Sequence, residues 1–364
     1  MKGLTALTVK KVIFSICAVL LAVIVAAVSY ILYVVFSYYR LEDNLQLEIS
    51  GESKTTVPVG EKLTLVTYNI GFGAYSDDYS FFMDGGEYSR AFSKQAVIDN
   101  TNGSLNAVQA QQPDFVILQE VDISGTRSYD VDQTAVFSSG FDGYDSVFAQ
   151  NYDSPYFIYP FTQPIGANKS GLMTFSKHNI ESSVRRSLPI EGSFNKYIDL
   201  DRAYTVSVIP AANGKSLILY NVHLSAYTSD GKIAEEQLKM LSDDMKAQYN
   251  KGNYIVAAGD FNKDMLGDSS KYFKRSEGDF NWAKPFDTTL LPSEITAYSG
   301  TNVPTCRNAD SAFRNDGTDF VLSVDGVLAS DNVEIVVCET VDTGFKFSDH
   351  NPVKCEFILK KIRY

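Results

Sequence analysis

The chain has 364 residues, 45% of them hydrophobic and 21% charged, with a formal net charge of −12, the composition of a globular protein with a large core. An acidic chain with no long basic run argues against tight non-specific nucleic-acid binding, which rests on many Lys and Arg contacts to phosphate. Four cysteines, scattered at 17, 306, 338 and 355, are too few for a disulfide framework or a zinc site, and leave open only a single bridge such as Cys338 to Cys355.

The amino terminus is set apart. Lys2, Lys10 and Lys11 precede Val12 to Phe36, a run without a single charge, and about 20 apolar residues suffice to cross a bilayer. Ala26-Ala27 would suit a cleavage site, but the apolar run continues past them and is longer than the apolar region of a signal peptide, so an uncleaved anchor is predicted at 12–36. The lysines before it, with Tyr30, Tyr33, Tyr38 and Tyr39 near its far end, place residues 1–11 in the cytoplasm and the rest outside the cell membrane. Without those three lysines the remainder carries −15. Residues 37–62, mostly polar with Gly51, Pro58 and Gly60, read as a stalk with one short strand at Leu45 to Ile49.

From 63 to 364 apolar strand-like runs alternate with polar turns: Leu63 to Asn69, Phe115 to Leu118, Gly171 to Phe175, Ser216 to Tyr220, Tyr254 to Ala258, Phe320 to Leu322, Val333 to Val337 and Val353 to Leu359. Two helices stand between them. One spans about Ser93 to Gln111 despite Asn102-Gly103 inside it. The other spans Ile233 to Tyr249, where Ala234, Leu238, Leu241 and Met245 fall on one stripe and Gly252 follows. Tyr152 to Phe161 is an aromatic loop suited to stacking bases, touching lipid headgroups or packing over a sheet edge. This pattern predicts a mixed α/β domain of about 300 residues.

Polar clusters stand where the strand-like runs end: Thr67-Tyr68-Asn69, Leu118-Gln119-Glu120, Asn221-Val222-His223, Gly259-Asp260-Phe261-Asn262, Val324-Asp325-Gly326 and Ser348-Asp349-His350. The run Tyr254 to Ala258 reads as a buried strand that stops at Gly259-Asp260. If the backbone stayed extended, Asp260 and Asn262 would share a side and Phe261 would point into the core. Of three histidines, two lie in these clusters; His178 is expected in a surface turn.

Each cluster alone is a weak pattern, but their order resembles the endonuclease/exonuclease/phosphatase superfamily, with its deoxyribonuclease-I-like fold, over about Leu63 to Ile362. The resemblance implies a four-layer sandwich of two packed mixed β-sheets with outer helices, here preceded by one transmembrane helix, and metal-dependent hydrolysis of phosphate esters. One departure is visible. Nucleases of this type place a glutamate near the strand equivalent to Gly171 to Phe175 as partner of the first histidine, and Asn168-Lys169-Ser170 supplies none.

Hydrolysis of an anionic diester needs a cation, a positioned base and help for the leaving oxygen. Glu120, with Asn69 and Asp349, offers oxygen ligands that suit Mg²⁺ or Mn²⁺ rather than Zn²⁺. Asp260 would position the attacking water, Asn262 would donate to a non-bridging oxygen, and His223 would contact the phosphate from the other side. Asp349 adjoins His350 in sequence and points away from it, so Asp325 is the expected partner of the His350 imidazole. The reading is a monomeric, membrane-anchored phosphodiesterase or nuclease-like enzyme. A phospholipid or sphingomyelin headgroup hydrolase, an inositol-phosphate-type phosphatase, and a catalytically silent binding domain are the alternatives.

Overall fold

The computed structural model describes residues 6–192, 194–197, 199–226, 231–274 and 284–361, so the two ends of the predicted arrangement, 1–5 and 362–364, lie outside the described residues. Helix α1 (Ala6–Ser37) carries no charge beyond Lys11, and its Thr8–Ser37 stretch is long and apolar enough to cross a membrane. Almost none of it packs on the rest of the chain; Val34, near its end, is buried.

Two seven-stranded sheets follow. The first runs, edge to edge, β1 (Leu45–Gln46), β7 (Ser182–Ser187), β8 (Ala203–Pro210), β9 (Ser216–His223), β10 (Tyr254–Asp260), β14 (Asp325–Ser330) and β11 (Ile295–Tyr298). The second runs β15 (Val333–Thr340), β16 (Val353–Leu359), β3 (Lys62–Asn69), β4 (Phe115–Gly125), β6 (Asn168–Ser176), β5 (Asp145–Asp153) and β2 (Ile49–Ser50). A two-stranded ribbon pairs β12 (Cys306–Arg307) with β13 (Val321–Leu322). The pairs β3–β4 and β9–β10 are parallel and the remainder antiparallel, so both sheets are mixed.

Period-two alternation explains the layering. Leu63 and Leu65, Phe115 and Ile117, Leu217 and Leu219, and Tyr254 and Val256 face one another between the sheets. The opposite faces go under helices. Val66, Tyr68, Val116 and Leu118 pack with Leu105 and Val108 of α2 (Lys94–Gln109) and Phe137 of α3 (Gln133–Gly140). Tyr220, Val222 and Ile255 pack with Leu238, Leu241 and Met245 of α4 (Lys232–Tyr249). The result is the expected four-layer sandwich.

Two expectations are corrected. The segment read as a stalk is built into the fold: Leu45–Gln46 adds to the edge of one sheet and Ile49–Ser50 to the other, so two short strands replace the single one expected. His178 is buried, not in a surface turn; its Nδ1 lies 3.1 Å from Thr55 Oγ1 and its ring packs on Phe115. Gly103 does not weaken α2 without reason, because a Cβ there would stand 2.3 Å from the Phe347 ring. Cys338 and Cys355 are paired positions on β15 and β16 and both thiols are free.

Candidate active site

The inner-face alternation that builds the core also builds the site. Continuing the odd-numbered positions of β3 leads to Asn69, those of β9 to His223, and the even-numbered positions of β10 to Asp260. Asp260 is in register with His223 on one side and with Asp325 on the other. Beneath them, Gln119 Nε2 donates to Asn221 Oδ1 (3.0 Å), and Asn221 Nδ2 donates to the Leu118 and Met173 carbonyls (3.1 Å each). This buried network ties the two sheets together directly under the site.

A cavity of about 490 Å³ opens there, and Asn69, Glu120, His223, Asp260, Asn262, Asp349 and His350 all line it. Asp325 stands behind His350. Its Oδ2 lies 2.7 Å from His350 Nδ1, so the imidazole takes its partner from Asp325 and not from its neighbour Asp349. Burial alone would lower the His350 pKa, but the Asp325 carboxylate outweighs it and raises the pKa well above the ordinary histidine value. His350 Nε2 is thereby turned toward Asp260, 3.9 Å from Oδ2.

Asp260 is the hub. Its Oδ2 accepts from Asn69 Nδ2 (3.1 Å) and lies 3.5 Å from His223 Nε2. Its Oδ1 accepts the Asn262 backbone N–H at 2.8 Å. The chain therefore does not stay extended after β10: Asn262 has φ 51°, folded back in an Asx turn, and its Nδ2 donates to the Leu224 carbonyl. Phe261 is buried as expected. Burial and the nearby Asp325 carboxylate raise the Asp260 pKa to about 7.

Glu120 sits on a bulge of β4 with φ 56°, a strained conformation for a residue with a Cβ that points its carboxylate into the cavity instead of along the sheet. Burial, with a further contribution from Asp349, raises its pKa. Burial raises that of Asp349 as well. Asn69 differs from the expectation of an oxygen ligand. Its Oδ1 accepts from Gly71 N (3.0 Å), while Nδ2 reaches Glu120 (3.2 Å) and Asp260, so it orients the two carboxylates. Gly71 is required beside it, since φ is 51° and a Cβ would crowd Tyr75 at 2.7 Å.

His223 is buried, and burial followed by Arg202 pushes its pKa well below the ordinary value. Its Nδ1 has no hydrogen-bond partner among the described residues, which agrees with the missing glutamate. A donor set of carboxylates whose charge burial already disfavours, one of them held on strained backbone, fits a hard divalent cation. Asp260, Asp325 and His350 also bring ligand atoms within 4.8 Å of one another, but Asp325 and His350 already satisfy each other there.

Sequence reasoning missed the cations. Arg127 forms a buried pair with Asp122 (2.8 Å) and stacks on Phe72 at 3.8 Å. Arg202 donates to the Leu224 carbonyl. Both line the cavity. Neither lies in a strand-end cluster; the one available signal was Asp122, a second acidic residue just past Glu120 on the same strand.

A family model described as Endonuclease/Exonuclease/phosphatase family matches residues 66–350. Among solved structures, an endonuclease/exonuclease/phosphatase from Beutenbergia cavernae is 17% identical, covers 82% of this chain and 72% of its own, and has a TM-score of 0.55. ANGEL2, described as a 2′,3′-cyclic phosphatase and bound to adenosine-2′,3′-vanadate, is 15% identical with a TM-score of 0.54, covering 87% of this chain and 99% of its own. The D. rerio TDP2 structure with a single-strand DNA product is 16% identical with a TM-score of 0.51, covering 82% and 99%. At these identities the likeness is one of fold. No curated protein matches the chain.

Proposed function

The chain belongs to the endonuclease/exonuclease/phosphatase family, and on that premise we propose that its cavity hydrolyses a phosphate diester with Mg²⁺ or Mn²⁺ bound. The observation that carries this reading is the convergence of Glu120, Asp260, Asp349 and the Asp325–His350 pair on one cavity at the edge of the sandwich. ANGEL2 and TDP2, a cyclic phosphatase and a DNA-product complex by their descriptions, support phosphoester chemistry in general.

Glu120 and Asp349 would hold the cation, with Asn69 steering the Glu120 carboxylate. When bound, the cation supplies charge neutralisation on the phosphate oxygens. Asp260 takes the proton of the attacking water; its raised pKa suits a base working near neutral pH. The water oxygen joins phosphorus as the P–O bond breaks, and the alkoxide that leaves takes its proton from solvent. The His350 imidazolium, fixed by Asp325, donates to a phosphate oxygen. His223, held neutral by burial, donates a single N–H from the opposite side, and Asn262 retains one amide hydrogen for a non-bridging oxygen. Arg127, paired with Asp122, and Arg202, paired with Asp199, stiffen the walls.

The enzyme works as a monomer anchored in the cell membrane by α1, with residues 1–11 cytoplasmic and the domain outside. The test is turnover of a soluble chromogenic phosphodiester by the full-length protein. Hydrolysis with Mg²⁺ that stops in chelator and in Glu120→Gln is expected. Equal rates with and without chelator would refute the reading.

A further inference from the structure

The aromatic loop between β5 and β6 is fastened to the anchor helix. Tyr33 Oη accepts the Tyr156 backbone N–H at 3.0 Å, and Tyr30 Oη accepts that of Ile158 at 3.2 Å while donating to the Tyr156 carbonyl. Tyr30 precedes Phe36, the end of the apolar run, by six residues, about 9 Å along a helix. The loop backbone therefore lies below the level at which the apolar run ends. Its side chains face outward: Tyr159 is 61% exposed and Phe161 77% exposed. Tyr159 packs on Phe82, next to Met83, itself 61% exposed. Such a contiguous apolar rim is out of place on a water-facing surface, whereas aromatic residues are enriched at this level of a membrane interface.

The rim borders the cavity and meets it at Met83. Phe81 and Met83 line one wall. The opposite wall also reaches the anchor, because Lys196 lines the cavity and lies 5.9 Å from the ring of Tyr38, one residue beyond α1. Tyr38 in turn donates to Asp201 at 2.8 Å. Both the Lys196 side of the cavity and the aromatic loop beside it thus reach the carboxyl-terminal end of the helix.

We propose that the 156–161 loop and the Phe82–Met83 turn are a membrane-inserted rim, and that the phosphodiester entering the cavity is carried by a lipid of the bilayer that α1 crosses. This rests on the phosphodiesterase reading above. Stacked nucleic-acid bases are the less fitting occupant: the loop rings pack on one another and on Phe82, their backbone is tied to the helix, and the domain carries −15. That charge also repels anionic lipid, which points to a zwitterionic headgroup, with Lys196 at the cavity wall for its phosphate.

The test uses the full-length chain in phosphatidylcholine vesicles. In the Phe161→Trp variant, emission beyond that of the native Trp282 should be quenched by lipids brominated near the headgroup end of the acyl chain. Tyr159→Ser/Phe161→Ser should lower hydrolysis of vesicle phosphatidylcholine by roughly tenfold and leave a soluble chromogenic diester within about twofold. Added emission in Phe161→Trp that the brominated lipids leave unquenched, or equal loss on both substrates, overturns the docking surface. Quenching of that emission, with a soluble oligonucleotide cleaved and the lipid untouched, overturns the lipid substrate. Quenching in a protein whose wild-type form is inert toward every diester leaves the rim standing and removes the phosphodiesterase reading instead.

Discussion

At the scale of single residues, the site is a set of charges that the fold holds at a cost. Burial raises the Glu120 pKa above its usual value of about 4.3. The folded state then binds the proton more tightly than the unfolded chain, so Glu120 stabilises below about pH 4 and costs stability as pH rises through the folded value. Glu120→Gln should therefore raise the melting temperature of the metal-free protein at pH 8, abolish the further rise that Mg²⁺ gives the wild type, and lower turnover by about 100-fold or more. Thermal scans with and without Mg²⁺ check all but the last; a metal-induced shift preserved in the variant would place the cation elsewhere. His350 has the opposite sign. A histidine pKa raised by Asp325 gives stabilisation that is complete below about pH 6.5 and is lost as pH rises through the higher folded value. The melting-temperature gap between wild type and Asp325→Asn should accordingly be wider at pH 6 than at pH 10. Since the two residues act as one unit, Asp325→Asn and His350→Ala should each cost turnover about 100-fold and together little more. Additive losses would separate them. The residues themselves were legible because strand ends expose chemistry in sequence order. Glu120's bulge, Asn69's amide orientation and Arg127 were not, for the bulge is set by pairing with β6, the amide by Asp260 across the gap, and Arg127 by Asp122 and Phe72.

At the scale of elements, long apolar runs such as Tyr254 to Ala258 announced the central strands, since they are covered on both faces. Edge and near-edge strands were hidden. Ser182–Ser187 reads Ser-Ser-Val-Arg-Arg-Ser, and its Arg185 is buried only because Gln150 and Asp201 supply acceptors from elsewhere, with Ser187 of the same strand. Leu45–Gln46 and Ile49–Ser50 are too short to carry any period, and their membership of two different sheets is a tertiary fact. Helix α2 carries the sharpest element-level prediction. Gly103→Ala would gain about 1 kcal/mol of helix propensity but drive a methyl into Phe347, costing about 1–3 kcal/mol of overpacking. Phe347 immediately precedes Ser348-Asp349-His350, so the variant should lower both melting temperature and turnover, and Phe347→Ala in the same chain should recover part of the melting temperature. A Gly103→Ala protein more stable than wild type would mean that the ring moves aside freely.

At the scale of the whole molecule, the two sheets have one polar edge, and the anchor helix ends beside that edge. Tyr38 on Asp201, Asp43 on Arg186 and the loop at Tyr156 bind the helix exit to the domain at separate points. The domain is thus held in one orientation against the helix, not hung from a flexible tether. The four-layer sandwich was legible in the order of motifs; this orientation was not, because no sequence pattern links Tyr30 and Tyr33 to a loop more than 120 residues away. Protease added to intact cells should digest the domain and leave a membrane-bound fragment, whereas protection would reverse the proposed topology. The central claim, that one metal-loaded cavity cleaves a phosphodiester, is tested most directly by following release of the chromophore from a soluble diester by the full-length protein. Wild type with Mg²⁺ or Mn²⁺ should turn over, and chelator, Glu120→Gln and Asp260→Asn should each abolish the signal. Undiminished release from Asp260→Asn in the presence of chelator would contradict it.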